Sequence, residues 1–380
     1  MSFKIAEVIC PVEFGGGENQ ILLRAIKLKE KEINVVVFCL SKSETFENLL
    51  KQYNIKYYTI CNRKLGFSPS FTEYLLHTIF VIFSSIRNIE LFTDFDIVNA
   101  HSFPSILIPF IFKKFFRRRF KSKIIYTHHH YPRSKIFMIF KKLFSIILKD
   151  YDSIIAVSSK VMKYSLIDIF PEMESKIYLI PNGIDERDFQ ITIEKNFLRK
   201  YLGLSNDDIY AIYPARFAPH KNHNFLLKVL NEIKVENFKL ILTSSGSTED
   251  VFKKEIYRLG LEKRIIMLGN ISHDKLIYYL MASDFCVFPS LAEGFGVAIL
   301  EAMMAGLPVI IFKGIYMDEH GKDILVANTE EEFIELVKFL IENENERLDL
   351  SRKMKGHALK FTISEATNKY ISLCKKLTII

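Results

Sequence analysis

Short, nearly continuous apolar runs recur through the first half of the chain: KIAEVI (4–9), NVVVFCL (34–40), IKYYTI (55–60), DIVNAHS (96–102), KIIYTHH (123–129) and DSIIAVSS (152–159). Stretches of helical composition separate them, such as the amphipathic ENQILLRAIKLKEK (18–31) and residues 43–53. A strand with one wet face alternates apolar and polar side chains. These runs do not alternate, so they predict strands buried on both faces, the mark of a parallel sheet sandwiched by helices. After IPNGID (180–185), the clearest linker candidate, a second series begins: YAIYPARF, FKLILTSS, RIIMLGN, FCVFPS, LPVIIF and DILVAN. An acidic helix at 330–349 and a helical tail at 351–377 follow. The pattern predicts an α/β protein of two Rossmann-like, doubly wound domains, with ligand in the cleft beyond the strands' carboxyl ends. The expected domains are 1–182, 183–355 and a tail, 356–380, that packs back on the first.

Length and composition agree with that picture. At 380 residues the chain has room for two ordinary α/β domains, and 49% hydrophobic with 25% charged residues is a globular balance. Residues 1–10 read as a first strand rather than a secretory signal. No uninterrupted apolar run reaches the ~20 residues of a membrane helix. Five cysteines, Cys10, Cys39, Cys61, Cys286 and Cys374, show no CxxC pairing. They suggest a cytoplasmic protein without disulfides or structural zinc.

Charge changes the picture. Of the formal net charge of +8, all lies in the first half, concentrated in IFKKFFRRRFKSKIIYTHHHYPRSKIFMIFKKLFSIILK (111–149), which has no acidic residue. Cations interleaved with Phe and Ile suit an anionic membrane surface, on the inner face of a bilayer. A solvated basic helix face is the plainer alternative. No nucleic-acid recognition motif accompanies the charge, so that partner is not expected.

The candidate chemistry is in AEGFGVAILEAMMAGLPVI (292–310). Glu293 precedes a Gly294-Phe295-Gly296 bend. Glu301 lies in the helix that Val297 begins and Gly306-Leu307-Pro308 ends. Eight residues on one helix are ~80° out of phase, so the two carboxylates suit opposite ends of one extended ligand. Backbone amides at Gly296 and Val297 favour an anion between them. A sugar nucleotide has hydroxyls at both ends and a diphosphate in the middle.

With ARFAPHKN (215–222), PNGID and GGGENQ (15–20), these landmarks resemble glycosyltransferase family 4, retaining sugar-nucleotide enzymes of the two-domain GT-B fold. The resemblance covers essentially the full length and is most specific over 264–326. It implies transfer of a sugar from a nucleoside-diphosphate sugar to an acceptor hydroxyl, in glycolipid, cell-surface polysaccharide or glycoconjugate synthesis. Glu301 would hold the donor ribose and Glu293 would lie by the transferred sugar, with Gly294, Phe295, Gly296 and Val297 nearby. Arg216 and Lys221 would balance the diphosphate without a metal ion or other cofactor. Gly16 and Gly17 would let a turn of the first domain approach the sugar-phosphate. The family's T-x-H matches Thr127 and His129, which makes His129 the histidine beside the reacting sugar; His128 and His130 are its register alternatives. His101 is a further candidate for acceptor or sugar contact. The acceptor, carbohydrate or lipid-linked, would bind the first domain. Two D-x-D patterns, Asp94-Phe95-Asp96 and Asp150-Tyr151-Asp152, read as helix-to-strand turns rather than metal ligands. His220, Asn222 and the LTSSGSTED loop depart from the family pattern. A sugar-nucleotide epimerase of the same fold and an inactive membrane-docked subunit remain alternatives.

Overall fold

The computed structural model describes residues 3–11, 15–65, 70–129, 141–191 and 193–378. The chain forms two compact units: Met1–Gly183 with Ile363–Ile380, and Ile184–Thr362.

In the first unit the strands are β1 (Lys4–Ile9), β2 (Asn34–Cys39), β3 (Lys56–Thr59), β4 (Ile97–His101), β5 (Lys123–His128), β6 (Ser153–Ala156) and β7 (Ile177–Leu179). They pair in parallel in the order β3-β2-β1-β4-β5-β6-β7. Helices α1 (Gly16–Glu30) and α2 (Glu44–Gln52) follow β1 and β2; α3 (Phe71–Arg87), α4 (Leu107–Phe115) and α5 (Lys141–Lys149) follow β3, β4 and β5. Right-handed crossovers put α1 and α2 on one face of the sheet and α3, α4 and α5 on the other. The core beneath α1 joins Ile5, Ile9, Ile21, Val37 and Ile125 to Tyr370, Leu373 and Cys374 of the returning C-terminal helix.

The second unit holds β8 (Ile209–Tyr213), β9 (Phe238–Leu242), β10 (Ile265–Met267), β11 (Phe285–Phe288), β12 (Val309–Phe312) and β13 (Leu325–Ala327), all parallel, in the order β10-β9-β8-β11-β12-β13. Its helices are α6 (Lys195–Leu202), α7 (His223–Glu232), α8 (Glu249–Leu259), α9 (His273–Ala282), α10 (Val297–Met304), α11 (Glu330–Glu342) and α12 (Glu344–Ala358). The C-terminal helix of the first unit, α13, spans Ile363–Thr378.

The return to the first unit falls at Ile363, not at residue 356. The reason is packing: α12 lies against α10 and buries Met354 and Ala358. Both D-x-D patterns serve strand starts. Asp96 accepts from the Lys4 amide (2.7 Å) and Asp94 pairs with Lys4 Nζ (2.6 Å). Asp152 accepts from the Ile124 amide (2.9 Å) and from Lys113 Nζ (2.6 Å). They stand at the amino ends of the strands, opposite the end where doubly wound sheets bind ligands.

Candidate active site

In each sheet the strand order reverses once, between β1 and β4 in the first unit and between β8 and β11 in the second. The loops that leave the carboxyl ends of those strands are where ligands bind in this class of sheet. The candidate residues lie on those loops, on the helices that follow them, or at the ends of β4 and β5.

In the second unit the loop after β8 carries Arg216 and Lys221, and the loop after β11 carries Glu293 to Val297. Hydrogen bonds stitch the two loops together. Tyr213, at the end of β8, donates to the Lys221 carbonyl and also meets Ser290 Oγ, each at 2.8 Å. The Leu291 amide donates to the His220 carbonyl (2.8 Å). Asn222 takes the left-handed backbone (φ 55°) that a glycine usually supplies and that Asn tolerates, so the turn into α7 closes without one. Gly246 has a packing reason as well. A Cβ there would sit 2.2 Å from the Phe217 carbonyl oxygen, so only glycine lets the loop after β9 close against the loop of Arg216.

Lys221 and Glu293 form one ion pair, Nζ to Oε1 2.6 Å, with both side chains largely buried. The cation expected on a diphosphate and the carboxylate expected by the sugar thus belong to a single charged couple. Arg216 is exposed on the same loop. Gly296 caps α10 in the left-handed region (φ 71°), and a Cβ there would meet Ile299 Cδ1 at 2.8 Å. The amides of the first turn of α10 have no carbonyl partner inside the helix, and Gly294 to Val297 bring the chain to them. His320, buried, approaches the Phe295 carbonyl (3.3 Å) and braces the bend.

Glu301, one turn further along α10, is 8% exposed, and its carboxylate makes no hydrogen bond among the described residues. Burial raises its carboxyl above the ordinary range; nearby His273 acts against that shift and Asp188 with it. His273 opens α9 and bonds Asp188 through Nε2 (3.1 Å). That bond, with Glu301 nearby, lifts the imidazole to about 8 against its desolvation. Nothing in the sequence singled out His273, Asp188 or His320.

In the first unit, a Cβ at Gly16 or Gly17 would meet no neighbouring atom within 4 Å. The strand ends hold a buried polar chain. Glu7, in the middle of β1 and fully buried, accepts from Arg24 of α1 (Nε 3.1 Å), from Asn99 Nδ2 (2.9 Å) and from His101 Nε2 (2.6 Å). Burial alone would raise its carboxyl, but Arg24 and His101 together hold it below the ordinary value. Burial outweighs Glu7 at His101 and keeps that imidazole pKa low. A neutral His101 that donates from Nε2 has its lone pair on Nδ1. His129 Nε2 lies 2.9 Å from that nitrogen, so His129 carries its proton on Nε2 and its lone pair on Nδ1.

His101, expected to touch acceptor or sugar, therefore lies behind His129 with both ring nitrogens engaged and 1% exposed. The physical reason is Glu7, whose buried charge needs donors. His129 is half-buried at the end of β5, while His128 points the other way, is buried, and its Nδ1 meets Tyr126 Oη at 2.7 Å. His130 lies outside the described residues, as does 130–140 of the basic segment.

The comparisons with known proteins agree with this architecture. Residues 194–357 match the family described as glycosyl transferases group 1, and residues 14–188 match that described as glycosyltransferase family 4. The chain belongs to the family 4-like glycosyltransferases and has the GT-B fold. An uncharacterised glycosyltransferase of Methanocaldococcus jannaschii is 31% identical over 169 residues, 43% of each chain. The GPI3 subunit of phosphatidylinositol N-acetylglucosaminyltransferase from Saccharomyces cerevisiae is 25% identical over 325 residues, 82% of this chain and 68% of that one. Among solved structures, Anabaena HepE in complex with UDP superposes with a TM-score of 0.80 at 19% identity, covering 98% of this chain and 100% of that one.

Proposed function

We propose that this glycosyltransferase takes its sugar from a nucleoside-diphosphate sugar, without a metal ion, and transfers it with retention to the hydroxyl of a carbohydrate or lipid-linked acceptor. The observation that carries the donor reading is Glu301: a buried carboxylate with no hydrogen-bonding partner among the described residues, on the helix that follows the switch point. Its oxygens are not among the buried atoms left without a partner, so solvent reaches them, and a pair of vicinal ribose hydroxyls supplies two donors in place of water. Arg216, the Lys221 ammonium and the amides at the start of α10 then face the diphosphate. Because Glu293 already holds Lys221, the burden of neutralising the departing diphosphate rests on Arg216 and the amides unless that pair opens.

In the first unit His129, its tautomer set by Glu7 through His101, is the histidine we place beside the transferred sugar. Among the described residues no side chain is placed as a covalent nucleophile. The acceptor hydroxyl attacks the anomeric carbon on the face the diphosphate leaves, and its proton passes to the leaving phosphate oxygen. Two relatives support a lipid-linked acceptor by their printed activities, the yeast subunit above and an Escherichia coli α-1,3-galactosyltransferase acting on GlcNAc-diphosphoundecaprenol, 27% identical over 222 residues.

The test is product analysis by NMR in EDTA, with a nucleotide sugar and a panel of polyprenyl-diphosphate and oligosaccharide acceptors. The expected result is transfer with the donor's anomeric configuration kept. An inverted product sinks retention, an absolute need for added Mg2+ or Mn2+ sinks metal independence, and acceptor-free conversion of the sugar nucleotide makes the protein an epimerase.

A further inference from the structure

Helix α3 is inside out. Its buried positions are His77, Thr78, Val81 and Ser85, small or polar side chains. Its outer face carries Phe71, Leu75, Leu76, Ile79, Phe80 and Phe83, each between 39% and 68% exposed. A helix on the surface of a water-soluble domain has the reverse arrangement. The spacing makes the face continuous: 71, 75, 79 and 83 follow one another at i+4, and 76 and 80 widen the stripe. It runs about 18 Å along the helix. The helix is held in place from its start by a capping box, in which the Ser70 amide donates to Glu73 (2.8 Å) and the Glu73 amide to Ser70 Oγ (3.3 Å).

The stripe does not stand alone. α4 packs alongside α3, and Phe103 bridges Tyr74 of α3 to Phe144 of α5. On that same side of the sheet Phe115 of α4 and Ile146 of α5 are 74% and 55% exposed. Cations border the apolar surface. Arg63 lies 3.5 Å from the centroid of the Phe80 ring. The loop after α4 is tied to the turn after α3 by the Arg119–Glu90 pair (3.0 Å). In that loop Arg117, Arg118 and Lys121 are exposed and make no ion pair among the described residues.

We propose that the α3–α4–α5 face of the first unit is a membrane-docking surface, with the α3 stripe set among the acyl chains of an anionic bilayer and the cations of the loop after α4 on its headgroups. An apolar patch of this extent marks an interaction site rather than plain surface. The choice of lipid rests on charge. Water-facing aromatics bordered by unpaired cations match the layered chemistry of an anionic interface, apolar beneath and negative at the rim. The basic segment 111–149 supplies the charge, and α3, outside it, supplies the insertion. No helix among the described residues is long and apolar enough to cross a membrane, so this face would lie on the bilayer rather than span it.

Co-sedimentation of the full chain with vesicles tests this, independently of any nucleotide. Vesicles of phosphatidylcholine and phosphatidylglycerol at 3:1 are compared with pure phosphatidylcholine. The wild type is expected to bind the anionic vesicles and to release as salt is raised from 0.1 to 0.5 M. Leu76→Ser with Phe83→Ser is expected to lower partition at least tenfold. Arg117→Glu with Arg118→Glu is expected to lower it at least about 25-fold, some fivefold for each cation lost before the repulsion of the added carboxylates is counted. These positions are solvent-facing, so the variants should keep the wild-type melting temperature, which is checked first. A wild type that stays in the supernatant overturns the proposal, as do folded variants that bind as tightly. A dimer that dissociates on Leu76→Ser with Phe83→Ser, without vesicle binding, assigns the face to a second copy and also overturns it.

Discussion

Glu301→Gln is expected to weaken binding of the nucleotide sugar by at least about 100-fold while making the unliganded protein more stable. The loss follows from charge-assisted hydrogen bonds, each worth about 1.5–3 kcal/mol, of which glutamine keeps at best a neutral remnant; about 3 kcal/mol is roughly 150-fold in affinity. The gain follows from the direction of the shift. Burial raises the Glu301 carboxyl, so the folded chain holds that proton more tightly than the unfolded chain does. The group thus costs stability at neutral pH, and the cost disappears below the ordinary carboxylate range. Glutamine removes that cost, and a rise in melting temperature of about 2–4 °C corresponds to each kcal/mol recovered. Wild-type affinity is expected to fall as pH drops through the raised value, and the variant to lose that acid limb. Calorimetric titration at several pH values, with a melt of each protein, checks all three. A variant that binds normally removes Glu301 from the donor site.

The second large effect lies in the first unit. Glu7→Ala is expected to destabilise the protein by about 3–5 kcal/mol, the usual result of stranding one partner of a buried pair. Arg24 would be left charged, 10% exposed and stacked 4.6 Å from the centroid of the Tyr370 ring, with Asn99 and His101 deprived of their acceptor. Against a total stability of about 5–15 kcal/mol the change is severe. Because Tyr370 belongs to α13, the damage should loosen the returning C-terminal helix first, visible as faster amide exchange over 363–378. Glu7→Leu with Arg24→Met is expected to recover more than half of the loss, since it removes both charges at once. The native carboxyl is held low, so its stabilising effect is present above the ordinary carboxylate range and is lost as pH falls through the depressed value. A loss under about 1 kcal/mol for Glu7→Ala in urea melts would mean that the network is dispensable to the fold.

Much of the architecture was legible because it depends on local pattern. Each apolar run named in the sequence contains a strand, and the absence of alternation gave parallel sheets correctly. The 292–310 reading also located a real helix, Val297–Met304, behind a left-handed glycine. What stayed hidden depends on tertiary pairing. Spacing along the chain cannot reveal that Lys221 and Glu293, 72 residues apart, share one bond, or that His273 stands beside Asp188 and Glu301. One signal was readable and went unused. Glu7 interrupts a strand expected to be buried on both faces, and a carboxylate there must have a cationic or donor partner. His101, at the end of a neighbouring strand, is one of those donors. The α3 stripe was hidden for another reason: hydrophobic periodicity identifies a helix but does not say which face the protein covers.

The central claim is that the second unit binds a nucleoside-diphosphate sugar without metal. Thermal unfolding in EDTA against UDP-, GDP-, ADP- and dTDP-sugars tests it most directly. One nucleotide class at 100 times its dissociation constant is expected to stabilise the protein by about 2.7 kcal/mol, and Glu301→Gln to abolish the shift. If no nucleotide sugar moves the transition, or if the shift survives in Glu301→Gln, the donor site assigned here is contradicted.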